Sequence, residues 1–471
     1  MVARMPAGLS NKRKTLALKI GAFTGIILYL LLIAKSVAGA GGAEGFHLPM
    51  VALILACAPL AVFAAVRVPM IFPFGLFVAL IPFDPLLSVS RGATLVHALG
   101  ILTAIALLAR ILVTRNVLRL RTPWYYWLAY VVWAGLTMMW TVDLKESRLV
   151  FGIIFQNFGM MTVLAAYPVT RRDFKIIISI MICAGVVAIF YALATNGGLG
   201  GGTARISIAS TNGNVVDQNF FATSFMLPIA FAFAAAVSTR RTLLRAAYLI
   251  AVGAMMLGVL VSGSRGAFLA LGLMFAYFAI RSRSLTQVGL LFAAFVAMLL
   301  RYPLVWERFM HDDGGGTGSG RTLIWQVGLQ ALRGHWLVGT GVGSFPESYA
   351  RVYLSAYQHS SQGWMRPAHN VLVGMSVEVG IIGLGLLLTA WFKTFRSLRV
   401  IPRSSPNFAF RTACEAAILA LAVQSLFIDP MWLKYIWLGF TLPFMVLNLE
   451  RPQVAFARRA VRRQFVPAPG V

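Results

Sequence analysis

Arg265 and His369 are the two residues whose type and position in the sequence most clearly indicate chemistry. Arg265 lies in VSGSRGAFLAL (261–271), between two apolar runs, where a charge needs a partner or a ligand. His369 lies in RPAHNVLVG (366–374), where a polar turn meets an apolar run. We interpret Arg265 as an anion ligand and His369 as a general base. The alternatives are an ion pair or a snorkelling side chain for Arg265 and a boundary hydrogen bond for His369.

The residues around His369 predict its protonation state. Pro367 is typical of the first turn of a helix, which would place His369 among the unpaired N–H groups at the helix start. The positive end of a helix disfavours imidazolium and attracts phosphate oxygens, so we expect a neutral His369. Helical spacing predicts one stripe made of His369, Val373, Ser376, Gly380 and Gly383. Glu378 falls off this stripe, and we expect it to pair elsewhere in the bundle.

Further arginines indicate a phosphate ligand. Segment 302–368 contains five arginines and no lysine, and Arg321 and Arg366 are among them. The planar guanidinium binds phosphate oxygens with two hydrogen bonds, so these arginines are candidate ligands of a phosphate or pyrophosphate. Arg205, which precedes the polar run STNGNVVDQN (210–219), is a further candidate. A general preference of the chain for arginine is the alternative explanation.

The composition places these residues in a membrane protein. Of 471 residues, 59% are hydrophobic and 12% are charged, with a mean hydropathy of +0.80, whereas a soluble domain has roughly 25% charged residues. The 41 basic residues fall mostly in short links between apolar runs and form no nucleic-acid-binding motif. The three cysteines have no metal-ligand spacing, and no acidic pair suggests a metal-dependent sugar transferase. We therefore expect no metal, no cofactor and no nucleic acid.

Apolar windows predict an all-α polytopic protein, because a helix needs about 20 apolar residues to cross the hydrocarbon. Fusion or re-entry of the two weakest windows, 69–88 and 265–280, would give about 12 transmembrane helices, with 14 as the upper count. The windows lie near 15–38, 48–66, 69–88, 92–114, 122–140, 149–168, 173–195, 217–238, 242–262, 265–280, 285–301, 369–395, 411–428 and 430–448.

The charges of the links predict the orientation of the chain. Basic links occur at 115–121, 170–175, 238–245, 281–284 and 393–403, and cytoplasmic links are enriched in Lys and Arg. Both termini are then cytoplasmic. The resulting units are a transmembrane bundle over 1–301, a mostly helical periplasmic loop over 302–368, transmembrane helices over 369–448 and a basic cytoplasmic tail over 449–471.

Four motifs resemble a known family. SGSRG (262–266), RTLIW (321–325), GTGVGSF (339–345) and HNVLVGMSVEVGIIG (369–383) resemble, in that order, the signature of bacterial O-antigen ligases and the related O-antigen polymerases. The last motif is similar to the family pattern of His-Asn, nine residues, Gly, two residues, Gly. The resemblance covers about residues 200 to 430. It marks Asn370, Gly380, Gly383 and Trp325 as supporting residues of the site.

The resemblance implies a metal-independent, GT-C-like glycosyltransferase of the bacterial inner membrane with a periplasmic active site and no cofactor. The implied donor is O-antigen linked to undecaprenyl pyrophosphate, and the implied acceptor is a hydroxyl of lipid A-core oligosaccharide in lipopolysaccharide biosynthesis. The pyrophosphate would be bound by Arg265, Arg321, Arg205 and Arg366, and Arg265 and His369 would be catalytic, with inversion at the anomeric carbon. The alternatives are an O-antigen polymerase, a protein O-oligosaccharyltransferase and, from another class, a transporter of anionic or lipid-linked sugars.

Overall fold

The computed structural model describes residues 63–65, 67–90, 93–196, 198, 205–208, 217–281, 321–356 and 365–450, with six isolated positions between 289 and 300. The predicted spans 15–38 and 285–301, most of 48–66, the glycine-rich loop 311–320 and the tail beyond residue 450 lie outside these ranges, apart from those isolated positions.

Helices make up most of the described chain. They are α1 Phe74–Leu80, α2 Leu95–Thr114, α3 Thr122–Leu136, α4 Leu144–Ala166, α5 Arg171–Thr195, α6 Gln218–Ser224, α7 Met226–Ser238, α8 Thr242–Ser262, α9 Arg265–Arg281, α10 Arg321–Ala331, α11 Phe345–Ala356, α12 Val371–Ser397, α13 Phe408–Gln424 and α14 Lys434–Leu449. Turns of 3-10 helix cover Ile81–Leu87, Thr137–Met139 and Leu398–Val400. A short antiparallel ladder of β1 Ser88–Ser90 and β2 Ala93–Thr94 is a small addition to the predicted helical class.

Six helical segments of the described chain are long and apolar enough to cross a membrane, which identifies a polytopic membrane protein. They are Leu95–Thr114, Leu144–Ala166, Arg171–Thr195, Gln218–Ser238, Thr242–Ser262 and Val371–Val400. The predicted span 69–88 is interrupted: α1 is followed by a 3-10 helix that contains Pro85. The count of about 12 spans stays a prediction.

Several of these helices begin at a polar residue whose side chain caps the first turn. Asp143 accepts the N–H of Glu146 at the start of α4, and Thr170 accepts the N–H of Asp173 at the start of α5. Each cap satisfies one of the backbone N–H groups that a helix start leaves without a partner. Behind the caps, large side chains such as Trp127 and Trp437 fill the interior, with ring centroids 5.1 Å apart.

The predicted cytoplasmic links meet at one end of the bundle. The N–H of Leu118 donates to the carbonyl of Ala166 at 2.9 Å. The Arg121 guanidinium donates to Leu447 O at 2.8 Å, and that of Arg171 donates to Pro406 O at 2.6 Å. We call this the Arg-rich end and the opposite one the His369 end. The shared location of the links agrees with the predicted topology, and the side of the membrane that each end faces stays a prediction.

Helix α12 is broken at Gly380, and a loop fills the break. Gly380 has φ 68° and ψ −179°, a conformation open essentially to glycine alone. The break leaves the carbonyls of Val377 and Glu378 without helical partners. They accept the N–H groups of Thr340 and Gly341 at 2.8 and 2.9 Å.

The other groups freed by the break are also paired. Trp133 Nε1 donates to Val379 O at 2.8 Å. Ile381 N donates to Trp336 O at 2.9 Å. Unpaired backbone groups are costly in a membrane interior, so the GTGVGSF turn is held in place by the groups that it satisfies.

We predict that Gly380→Ala lowers the free energy of unfolding by about 2 kcal/mol or more, because the new Cβ would overlap the carbonyl of Leu337 and occupy a strained backbone conformation. Gly385→Ala is the matched control: it lies in the same helix with no atom within 4 Å of the new Cβ, and it should be neutral or stabilising. Thermal unfolding of both variants in detergent checks this. Equal melting temperatures for the two variants would contradict the account.

Candidate active site

His369 lies just before helix α12 and not within it. The helix begins at Val371, and His369 has a φ of 48°, in the left-handed region. Asn370 is the N-cap: its Oδ1 accepts the N–H groups of Leu372 and Val373 at 2.8 and 3.2 Å. The prediction that Pro367 opens the helix is therefore wrong, because the Asn370 side chain provides a stronger helix start three residues later.

Asp429 fixes the backbone of His369. The N–H of His369 donates to Asp429 Oδ2 at 2.9 Å. The imidazole Nδ1 lies 3.7 Å from the same oxygen, beyond hydrogen-bond distance, and it has no hydrogen-bond partner within the described residues. When a carboxylate accepts the Nδ1 proton of a histidine, the Nε2 lone pair is left free to accept a proton. Asp429 is placed to select that tautomer of His369.

The surroundings of His369 favour the neutral imidazole. Burial lowers the pKa of His369 below its ordinary value, Arg321 and Arg366 lower it further, and Asp217 opposes them. Neutrality agrees with the sequence prediction, but the cause is burial and two arginines in place of a helix start. Burial raises the pKa of Asp429 to about 6, while the hydrogen bond from the His369 N–H and the charge of Arg321 lower it. The carboxylate is therefore mostly ionised at neutral pH.

Helix α10 brings Arg321 to the imidazole. Trp325, one turn after Arg321, donates from Nε1 to Ala368 O at 3.0 Å and so ties α10 to the residue before His369. Gly328 lets the same helix pack closely on Phe345 of α11, since a Cβ there would overlap the Phe345 ring. Arg366 precedes His369 in the segment that Trp325 holds. The resemblance marks Trp325 as a supporting residue. Its hydrogen bond to Ala368 O places it next to His369.

Arg205 and Arg265 lie at the same end of the bundle. Arg205 Nε donates to Ser262 O at 2.7 Å, and its Nη2 donates to Asn219 Oδ1 at 3.4 Å. Helix α8 ends at Ser262, and α9 begins at Arg265. The next residue, Gly266, packs so closely on Phe427 that a Cβ would overlap the ring. Arg265 is thus one residue from a contact with the loop that carries Asp429.

The loop that carries Asp429, residues 425–430, connects these parts. Its Ser425 carbonyl accepts the N–H of Val371 at 2.8 Å, and its Asp429 holds His369. Neither Asp429 nor Asp217 was predicted as a site residue from the sequence. A signal for Asp429 was present, because it is the one charged residue of the apolar run 418–433, where a carboxylate indicates a function or an ion pair.

The GTGVGSF turn and the glycines of α12 have structural roles away from His369. Glu378 Oε2 accepts the N–H of Gly343 at 2.9 Å, which confirms that Glu378 pairs elsewhere than with His369. Gly383 packs against Trp133. The predicted stripe that joined His369 to Gly380 and Gly383 is wrong, because His369 is not helical and the helix breaks at Gly380.

A cavity of about 220 Å³ lies beside the charged cluster at the His369 end. Its wall includes Phe220 and Trp432, whose rings meet edge to face with centroids 5.9 Å apart. Each of these residues is three positions along the chain from an acid of the cluster, Asp217 or Asp429. The polar part of the wall contains Lys434, paired with Asp84 at 2.5 Å.

The described residues contain no group of three or more His, Cys, Asp or Glu side chains that could hold a metal ion. The cluster consists of arginines, one imidazole and two carboxylates, and its guanidinium groups are of the kind that suits an anionic ligand.

The fold and the site together define a polytopic membrane protein with a cluster of arginines, one imidazole and two carboxylates at one end of its helical bundle. The family described as O-Antigen ligase matches residues 249–388. This match covers 140 of the 471 residues and confirms the resemblance found in the sequence. The matched region contains Arg265, Arg321 and His369, whereas Arg205 and Asp429 lie outside it. No curated protein matches the chain.

We predict opposite shifts of the His369 pKa in two variants. Arg321→Gln removes a positive charge that disfavours imidazolium and should raise the pKa, whereas Asp217→Asn removes a negative charge and should lower it. NMR titration of ¹³C-histidine-labelled protein, with the signal assigned through His369→Gln, measures both shifts. Arg333→Gln, an exposed arginine of the same segment, is the control and should leave the pKa unchanged. Shifts of the same sign would contradict this electrostatic arrangement.

Proposed function

We propose that this protein is an O-antigen ligase: it transfers O-antigen polysaccharide from undecaprenyl pyrophosphate to a hydroxyl of lipid A-core oligosaccharide, at the periplasmic face of the bacterial inner membrane. The family match over residues 249–388 supports a reaction of the ligase and polymerase type. The observation that carries the proposal is the part-buried His369 at one end of a membrane bundle. Asp429 accepts its backbone N–H, and Arg321 and Arg366 lower its pKa.

In the proposed reaction His369 is the general base. Its Nε2 takes the proton of the acceptor hydroxyl, and the hydroxyl oxygen attacks the anomeric carbon of the donor sugar. The bond between that carbon and the pyrophosphate oxygen breaks, and its electron pair leaves with the pyrophosphate. One displacement at the anomeric carbon inverts its configuration. A protonated His369 could not accept the proton, so the low pKa of this imidazole keeps the base available at neutral pH.

The arginines provide the charge stabilisation. As the glycosidic bond breaks, negative charge grows on the pyrophosphate, and fixed cations aimed at it lower the barrier without having to reorganise. We propose Arg265 and Arg321 as the principal ligands of the pyrophosphate, with Arg205 and Arg366 as further ligands. Arg205 is held by Ser262 O, so its position is set by the fold before any ligand binds.

Asp429 is proposed as a positioning residue, because it acts through His369. Its carboxylate fixes the His369 backbone and stands 3.7 Å from Nδ1, where it can stabilise the imidazolium that forms when the hydroxyl is deprotonated. Loss of its charge should therefore change the pH dependence of the reaction as well as its rate.

The cavity of about 220 Å³ is proposed to hold a sugar residue next to the pyrophosphate. Trp432, which is 41% exposed, presents an aromatic surface there, and the face of a sugar ring packs well on such a surface. The Lys434 and Asp84 pair supplies a hydrogen-bonding group beside it.

The two enzymatic alternatives differ only in the acceptor. An O-antigen polymerase would use a second lipid-linked repeat, and a protein O-oligosaccharyltransferase would use a protein hydroxyl. Purified protein with lipid-linked donor, assayed with each of the three acceptors, separates them. A product with lipid A-core alone supports the ligase. A transporter would form no glycosidic bond with any acceptor.

We predict that His369→Ala lowers kcat by a factor of about 10² to 10⁴, the usual contribution of a general base. Arg321→Ala should lower it by about 10² to 10³, as expected when a group that stabilises the leaving charge is lost. Rates are measured with purified donor and acceptor in detergent. Arg333→Ala, exposed in the same segment, should retain the wild-type rate. Wild-type kcat for His369→Ala would remove the general-base role.

We predict that Trp432→Ala raises KM about tenfold and changes kcat much less, because it removes a sugar contact made in both ground and transition states. Trp336→Ala, at a tryptophan that is 59% exposed and outside the cavity, is the control. Steady-state kinetics with varied donor and then varied acceptor identify which sugar occupies the cavity. Unchanged KM for both substrates would exclude the cavity as a sugar site.

A further inference from the structure

A second cavity lies at the Arg-rich end of the bundle, on the opposite side from His369. Its volume is about 540 Å³, and it opens between the C-terminal part of α2 and the N-terminus of α5. Three arginines line it: Arg67, Arg110 and Arg172. None of the reactions considered above uses this part of the protein.

The charges in this cavity are poorly balanced. No ion pair joins Arg67, Arg110 or Arg172 to a carboxylate in the parts of the chain that the structure describes. Asp173 is the one acid in the wall, and its Oδ2 accepts the hydroxyl of Thr170 at 2.7 Å at the start of α5. Three cations against one carboxylate leave a net positive site.

The backbone adds to this positive charge. Helix α5 has 25 residues and starts at the cavity, with Thr170 and Arg172 in the wall. The N-terminus of a helix carries a partial positive charge, and its first N–H groups attract anions. Three guanidinium groups beside a helix start are suited to a phosphate.

The remaining wall is apolar and leads away from the arginines. It includes Met70 and Ile71 on one side and Ile176 and Ile180 on α5. Ile180 is eight residues from Arg172, about 12 Å further along the helix. The cavity therefore combines a cationic mouth at the end of the bundle with an apolar wall that runs toward the membrane interior, and such a combination fits a ligand with a charged head and a hydrocarbon tail.

We propose that this cavity binds an anionic phospholipid, with the headgroup phosphate at Arg67, Arg110 and Arg172 and an acyl chain along Ile176 and Ile180. Basic pockets between membrane helices on the cytoplasmic side are suited to anionic lipid headgroups. The positive-inside pattern predicts that side for the Arg-rich end. The site does not depend on the proposed transferase activity.

The test measures lipid binding to the full-length purified protein by native mass spectrometry and by thermal unfolding. The probes are phosphatidylglycerol, phosphatidylcholine and sn-glycerol 3-phosphate. Phosphatidylglycerol should bind and raise the melting temperature of the wild type, whereas phosphatidylcholine and glycerol phosphate should not. Equal stabilisation by glycerol phosphate would overturn the lipid assignment in favour of a soluble phosphate ligand.

The variants locate the site. Arg110→Gln with Arg172→Gln should weaken phosphatidylglycerol binding about thirtyfold, since each surface cation contributes about fivefold. Arg399→Gln, an exposed arginine at the same end and outside the cavity, should bind as the wild type does. If the double variant does not fold, the exposed Arg172→Gln alone should weaken binding several-fold. Wild-type affinity in a folded variant of either kind would overturn the proposal.

Discussion

The candidate site depends on one hydrogen bond, from the His369 N–H to Asp429 Oδ2. It holds His369 in a left-handed conformation that residues other than glycine adopt only when their surroundings impose it. It also keeps a carboxylate beside an imidazole whose pKa is lowered by burial and by two arginines. Without that carboxylate, Asp217 alone among the described residues would oppose Arg321 and Arg366 at the imidazole, and the Nδ1 side of the ring would have no carboxylate beside it. Asp429 thus sets the backbone position of the proposed base, while burial, the two arginines and Asp217 set its pKa.

A second constraint, the break in α12, positions the opposite side of the site. Because Gly380 interrupts the helix, its carbonyls and N–H groups pair with residues 336–341, and this pairing fixes the turn between α10 and α11. Helix α10 is then held over the segment before His369 through Trp325. The glycines of the family signature therefore act on architecture, while the arginines and His369 supply the chemistry proposed for the site. A backbone that is irregular inside a membrane protein is tolerated where other backbone groups satisfy it, and here they do.

Much of the fold follows from hydropathy and charge, because helix length and basic links reflect the thickness and polarity of a bilayer. The sequence alone also indicated Arg321 and His369. The sequence did not predict the local geometry of His369. Helix periodicity does not reveal that Asn370 caps the helix, or that Asp429, sixty residues away, accepts the backbone N–H of His369. The sequence failed on Gly380 for a related reason: a glycine in an apolar run reads as a packing residue until the inserted loop 336–341 is known. Long-range partners decided the break at Gly380 and the backbone of His369, whereas the Asn370 cap is a local signal, since Asn is a preferred N-cap residue.

The central claim is that fixed arginines and a neutral imidazole surround the pyrophosphate of a lipid-linked donor as it leaves. The most direct measurement is the position of that pyrophosphate, by cryo-electron microscopy of the protein bound to an undecaprenyl-pyrophosphate-linked glycan without acceptor. We expect phosphate oxygens at about 3 Å from the guanidinium groups of Arg265 and Arg321, with Nε2 of His369 facing the anomeric carbon. A pyrophosphate bound elsewhere, with His369 turned away from the sugar, would contradict the claim.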